Sequence, residues 1–345
     1  MRHKAYPVKK IITILATGGT IAGLRHTADK HHDFAYEAGA LCITDLLQHL
    51  PSGFHIEPQH LLAEQIAQVD SKDMDVAVWN ALARRCLHHL MDERIHGIVI
   101  THGTDTMEET AWFLHRVLPA TPKPVILVGA MRPADSPQAD GPHNLADTLT
   151  LAQNTHLHGV LLAHAGQIHF PQHVFKAHPW RLDAFSSGDA SLAGRVTPQG
   201  VELNVPDDGL ALPPTTMQPA GLHRWYCTHP VAPECWPDIA IISSHAQASA
   251  RMVHALQQAG FAGVVVAGTG NGTVHANLLD ALQQAQQQGM AVRLCSRCPE
   301  GSIAPQAQDA RPFPVSPLSA WKARIDLALE LLQARHGSAR TSVTS

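Results

Sequence analysis

The strongest constraint on the fold is an alternation. Short apolar runs rich in valine and isoleucine recur between segments of helical period, the pattern of βαβ units wound about a parallel sheet. Strands are expected near residues 11–16, 95–101, 124–129, 158–163, 238–243, 262–267 and 290–295, and helices at about 72–91, 107–118, 249–259, 275–288 and 319–334. The proline-crowded stretch 206–237 has neither period and reads as a linker. The expected fold class is α/β, with a larger N-terminal domain (1–205) built on a doubly wound, mostly parallel sheet and a smaller C-terminal α/β domain (238–345).

With 345 residues and 45% hydrophobic content, two packed cores are well supplied. Lys+Arg number 25 against 29 Asp+Glu, and no basic stretch is long enough to track a nucleic acid. No apolar run is long enough to span a membrane. The basic start "MRHKAYPVKK" leads into a short β-rich run without a small-residue cleavage site, so it reads as the first strand of a cytoplasmic protein. Six cysteines in a chain of this length suit reduced thiols better than a disulfide framework. Cys295 and Cys298 have zinc-knuckle spacing, yet Cys227 and Cys235 stand too far apart to complete it, and the histidines show no H-E-x-x-H pattern. No metal and no cofactor are expected.

Ligands of doubly wound sheets bind outside the carboxyl ends of the strands. The loops expected there carry "TGGTIAG", "DSKDM", "THGTD" and "GAMRP". In the first, Gly18, Gly19 and Gly23 have the wrong spacing for a dinucleotide fingerprint, and Leu24 and Arg25 stand where a Walker loop needs Lys and Ser/Thr. Taken alone, its glycines and its threonines Thr17 and Thr20 fit a sharp turn. The "THGTDTMEETAWFL" segment adds more. Thr106 and Glu109 fit a capping box, which leaves Thr104 and Asp105 at the sheet mouth without an evident structural duty.

Together, "ILATGGTIAG" and "THGTDTMEETAWFL" resemble the two signature segments of bacterial-type L-asparaginases, and the similarity extends to "DSKDM", "PVILVGAMRPADSPQADGPHNL" and "AGTGNGT". The resemblance implies a two-domain α/β fold and hydrolysis of the side-chain amide of asparagine, often also of glutamine, through a threonine acyl-enzyme without a cofactor. It also implies a homodimer or homotetramer in which a neighbour's C-terminal domain completes each site. Residue by residue, it makes Thr20 the nucleophile, Tyr36 its hydrogen-bonding partner, Thr104 the second catalytic threonine and Lys176 that threonine's partner. Ser71 is implied at the substrate carboxylate, Asp105 at its ammonium, and Ala130 in the substrate site.

The residue types suit that chemistry on their own terms. A threonine hydroxyl is a weak nucleophile and needs a neighbour to take its proton. Glycines beside it let backbone N–H groups approach a developing oxyanion. A zwitterion needs an anion for its ammonium and donors for its carboxylate. Each residue also has a plain structural reading: Ser71 or Asp70 as a helix cap, Tyr36 as a packed aromatic, Lys176 as a solvated charge. Three positions depart from the resemblance, all near the amino-acid head group: Lys72 stands in place of a glutamine, Thr273 in place of an asparagine, and an expected glutamate near Gln308 is missing. Lys72 would repel a substrate ammonium unless its side chain turns outward. A mixed glutaminase-asparaginase, a non-catalytic amino-acid sensor and a nucleotide-binding protein stay open as alternatives.

Overall fold

A computed structural model describes residues 10–26, 35–52, 54, 56–204, 222, 225, 226, 229, 231–304 and 311–341. The chain divides into two compact units, Met1–Pro230 and Val231–Ser345.

The first unit is built on an eight-stranded sheet ordered β12-β11-β8-β7-β6-β5-β1-β4. Its strands are β1 (Ile11–Gly18), β4 (Leu61–Val69), β5 (Ile95–Thr101), β6 (Pro124–Val128), β7 (Gly159–His164), β8 (Gln167–His169), β11 (Gly194–Thr197) and β12 (Gly200–Leu203). The five from β4 to β7 run parallel, and the other three extend the sheet antiparallel. Two short hairpins lie outside it: β2 (Leu24–Arg25) with β3 (Tyr36–Glu37), and β9 (Phe175–Lys176) with β10 (Phe185–Ser186).

Helices α1 (Ile43–Gln48) and α4 (Gly141–Leu151) contribute Ile43, Leu46, Leu145 and Leu149 to a core with Ile12, Ile14 and Ala16 of β1 and Ile126 and Val128 of β6. Helices α2 (Val76–Leu90) and α3 (Met107–Val117) pack on each other, with Trp79 and Phe113 stacked at 4.7 Å and the Trp79 indole donating to Thr110 Oγ1. The central strands β5 and β6 are buried apart from His96 near the start of β5, as strands covered by helices must be.

Most of the expected linker lies outside the described residues. Leu222 and Tyr226 within it are buried, and the Tyr226 hydroxyl donates to Asn80 Oδ1 on α2 at 2.6 Å, so this part of the stretch packs onto the first unit. The second unit has a three-stranded parallel sheet, β13 (Ile239–Ser243), β14 (Gly263–Gly268) and β15 (Ala291–Ser296), with helices α5 (Arg251–Gln258), α6 (Ala276–Gln287) and α7 (Ala320–Thr341). Val264, Val266, Leu278, Leu282, Val292 and Leu294 form its core.

Two loops at the mouth of the large sheet meet backbone to backbone. Gly19 follows β1 with φ +79°, and a Cβ on it would sit 2.3 Å from both Cα and N of Gly103, which follows β5. A Cβ on Gly103 would in turn meet Ser71 Oγ, from the loop after β4, at 2.5 Å. Glycine alone allows three loops to converge this closely. Replacing Gly19 with Ala adds both a clash and a strained φ, so Gly19→Ala should lower the stability of this unit by about 2 kcal/mol or more. An unchanged urea-unfolding midpoint would contradict that contact.

Candidate active site

The two threonines of the first loop have different duties. Thr17 is buried, and its hydroxyl donates to the Thr101 carbonyl at 2.8 Å, tying β1 to β5. Thr20 lies beyond the glycine contact in a single 3-10 turn, and its Oγ1 is 2.7 Å from Tyr36 Oη. The Gly19 N–H donates to the Val69 carbonyl, so it is not available to an oxyanion. The glycines here shape the chain. Their expected role as approach points for oxyanion-binding N–H groups does not extend to Gly19.

Ser71 does not cap a helix. Asp70 caps the short 3-10 turn Ser71–Asp73, and Asp75 caps α2 by accepting from Val78 N at 2.9 Å. The expected helix start at residue 72 therefore moves to Val76. Ser71 is buried, its Oγ accepts from Asp105 N at 3.2 Å, and its carbonyl accepts from Thr106 Oγ1 at 2.7 Å. The last contact corrects the expected capping box: the Thr106 side chain makes no cap hydrogen bond, because its hydroxyl reaches across to the loop after β4. Glu108 and Glu109 in the first turn of α3 complement the helix dipole instead.

Lys176, on the two-residue strand β9, reaches the loop after β5 from 72 residues away. Its Nζ donates to Thr104 Oγ1 at 2.8 Å and pairs with Asp105 Oδ1 at 2.6 Å. Thr104 is buried; the Lys176 side chain is 15% exposed and that of Asp105 58%. The Asp105 carboxylate thus faces largely outward, where solvent screens its pairing with Lys176.

Burial raises the Tyr36 pKa above its ordinary value. The Thr20 hydrogen bond opposes this, Asp70 and Asp105 push it further up, and Lys72 pulls it down. The Thr20–Tyr36 pair and the Asp105–Lys176 pair therefore share one electrostatic neighbourhood.

Ala130 follows β6 with its methyl fully buried in the core, so what it can offer a ligand is its main chain. That loop is held by two residues the sequence reading did not single out. The Asp140 carboxylate accepts from Met131 N and Arg132 N, and Asn144 Nδ2 donates to the Gly129 carbonyl at 3.0 Å. Asn144 Oδ1 also accepts from Ala165 N, at 3.2 Å, where the backbone is left-handed with φ 48°. Both residues stand in the quoted "ADGPHNL", where only their depth in the fold reveals a duty.

Lys72 turns outward. Its ammonium pairs with Asp70 at 3.0 Å and Asp73 at 2.8 Å with the side chain 62% exposed, and both carboxylates raise its pKa. The expected repulsion of a substrate ammonium is thus relieved by geometry. In the second unit, Thr273 Oγ1 is 2.7 Å from Thr269 Oγ1 across a tight turn. Gln308 lies outside the described residues. Among the described residues no group of three or more His, Cys, Asp or Glu is placed to hold a metal, and no helix is long and apolar enough to cross a membrane. Cys42, Cys86, Cys235, Cys295 and Cys298 are free thiols.

The fold and this meeting of loops define an asparaginase-type α/β protein. Residues 11–208 match the family described as "Asparaginase, N-terminal", and residues 238–341 match the "Glutaminase/Asparaginase C-terminal domain". The chain belongs to this family. It is 34% identical to "Probable L-asparaginase periplasmic" of Haemophilus influenzae, over 94% of this chain and 89% of that protein. With "Glutaminase-asparaginase" of Pseudomonas fluorescens biotype A it shares 32% identity over 81% of this chain and 74% of the relative. A crystal structure of "Probable Cytoplasmic L-asparaginase from Campylobacter jejuni" superposes with TM-score 0.79 at 35% identity, covering 94% and 95% of the two chains.

His102, between β5 and Gly103, is fully buried, and its Nδ1–H donates to the Gly103 carbonyl at 2.7 Å. Burial pushes its pKa down to about 4, against a weaker upward pull from that carbonyl. Above pH 6.5 the ring is neutral in both folded and unfolded chains. As pH falls below 6.5, only the unfolded chain takes up the proton, so stability is lost progressively down to about pH 4. The slope approaches about 1.4 kcal/mol per pH unit for each such histidine. His115 shares the direction and the value of about 4. Urea-unfolding midpoints taken from pH 7 to 5 should fall, and His102→Gln should flatten the slope. An equally steep profile in that variant would rule out this source of acid sensitivity.

Proposed function

We propose that the chain is an amidohydrolase that converts L-asparagine to L-aspartate and ammonia through a threonyl ester on Thr20. The single observation that carries the reading is the convergence of Thr20–Tyr36 and Thr104–Lys176–Asp105 on loops that meet at Gly19 and Gly103.

The Thr20 hydroxyl oxygen adds to the carboxamide carbon as its proton passes to Tyr36. A phenol whose pKa is raised does not stand as a phenolate, so Tyr36 acts as a relay, taking this proton as it passes its own to the amide nitrogen that departs as ammonia. Thr104 Oγ1 accepts from Lys176 Nζ, which leaves its own O–H as a donor toward the departing nitrogen. The C–N bond breaks, ammonia leaves, and water then adds to the ester carbonyl. Release of the carboxylate returns the proton to Thr20. Ser71 and Asp105 hold the amino-acid end, with the main chain at Ala130 beside them.

The outward turn of Lys72 supports binding of a zwitterion, because its ammonium is compensated by Asp70 and Asp73. One methylene in a pocket is worth only about 1–3 kcal/mol, so glutamine is the natural second substrate. The similarity to a glutaminase-asparaginase supports that second reading. We place the enzyme in the cytoplasm, in line with the named location of the Campylobacter jejuni relative and with five free thiols among the described residues. We further propose a homodimer or homotetramer in which a second copy completes the head-group pocket.

The test is ammonia release from asparagine, glutamine and their D-isomers. Wild-type protein should turn over L-asparagine. Thr20→Ala should lose several orders of magnitude in kcat, against about 10⁶ for nucleophile removal in a well-studied protease. A Thr20→Ala variant of full activity would remove the mechanism. Aspartate binding without any hydrolysis would point to the sensor.

A further inference from the structure

We propose that Arg25 and Asp135 form a positioning pair that fixes the short strand opposite Tyr36 and so holds the Tyr36 hydroxyl on Thr20. The inference rests on the reading of Tyr36 as the proton partner of Thr20.

Tyr36 sits on a strand of two residues, paired antiparallel with a strand of two residues, with Arg25 directly opposite Tyr36. So short a ladder is not stable by itself. Its anchor is the loop after β6. The Gly23 carbonyl accepts from Ala134 N at 2.9 Å, and Arg25 N donates to Asp135 Oδ1 at 3.0 Å. Arg25 Nη2 donates to the Asp135 carbonyl at 2.6 Å, and Nε lies 3.3 Å from Asp135 Oδ2. One residue thus grips the backbone and the carboxylate of the other with both its own backbone and its guanidinium, a geometry suited to the rigid arginine fork.

The anchor is itself fixed. Ser136 N closes a turn on the Pro133 carbonyl at 3.0 Å, and Asp140 holds Met131 N and Arg132 N a few residues upstream. Rigid contacts therefore run from α4 through this loop to Arg25, and across one rung of the ladder to Tyr36. The Tyr36 ring is set against Gly23, where a Cβ would lie 2.8 Å from Tyr36 Cδ2.

An exposed arginine–aspartate pair ordinarily contributes little. Here the Arg25 side chain is 14% exposed, and the pair controls where a proton relay stands. Misplacement of a reacting group by about 1 Å can cost about a hundredfold in rate. The pair acts on Thr20 through Tyr36, which stands opposite Arg25 on the ladder and meets Thr20 Oγ1 at 2.7 Å.

Steady-state ammonia release with the full-length protein tests this. Arg25→Ala and Asp135→Asn should each lower kcat about tenfold while leaving KM largely unchanged. In a Tyr36→Phe background, Arg25→Ala should cost nothing further, because the interaction it served is gone. Arg25→Lys, which keeps the charge, should recover part of the loss. Asp135→Asn preserves the size of the side chain and its acceptor for Arg25 N, which guards against a variant that merely misfolds. Wild-type kcat in both Arg25→Ala and Asp135→Asn overturns the inference, as does a loss that adds in full to that of Tyr36→Phe. If Tyr36→Phe is itself fully active, the role of Tyr36 falls and this inference with it; an impaired Tyr36→Phe beside unaffected pair variants removes this inference alone.

Discussion

The site depends on one contact between two stretches of bare backbone. Gly19 and Gly103 approach so closely that no side chain fits at either position, and the residues that follow each of them, Thr20 and Thr104, are brought to neighbouring places. Ser71 fills the space over Gly103, which draws in the loop after β4 as well. The parallel strands β4, β1 and β5 aim these loops at one edge, and the buried apolar residues of β1 and β5 keep that edge fixed. The chemistry rests on sheet packing that itself contains no reacting group.

Polar contacts then divide the work. Tyr36 partners the Thr20 hydroxyl and Lys176 that of Thr104, and these partners arrive on two-residue strands outside the main sheet. Strands so short have little stability of their own, so their placement depends on what they touch. This explains why the loop after β6 matters beyond Ala130. It is tied by Asp140 and Asn144 on one side and grips the Tyr36 hairpin on the other.

Much of this was legible in the sequence. The Val/Ile runs marked β1, β5, β6, β7 and all three strands of the second unit; those buried on both faces carry a continuous apolar signal, and β13 carries one although none of its residues is fully buried. Strand β4 was missed for the opposite reason: "LLAEQIAQV" is the sheet's edge, half-exposed and rich in polar residues. The short antiparallel strands β8, β11 and β12 have too few residues for a period to show. Helix α4 was missed as well, since Gly141 and Pro142 open it like a turn. Helix α7 runs to Thr341, beyond the expected 334, through a polar stretch without an apolar stripe. For the site, Thr20, Thr104, Asp105, Ser71, Tyr36, Lys176 and Ala130 were named through the resemblance to asparaginases. Arg25, Asp135, Asp140 and Asn144 were not, because their roles consist of contacts between distant segments that no local pattern encodes.

Asn144 illustrates what such contacts impose. Its carboxamide donates toward the chain after β6 and accepts from the left-handed turn after β7, so its two ends are not interchangeable. A carboxylate of the same shape would turn an acceptor toward the Gly129 carbonyl, and an aliphatic side chain would desert both segments. Libraries that reshape the pocket for another amide can therefore vary its exposed rim widely, but should hold this interior position to a single chemical type.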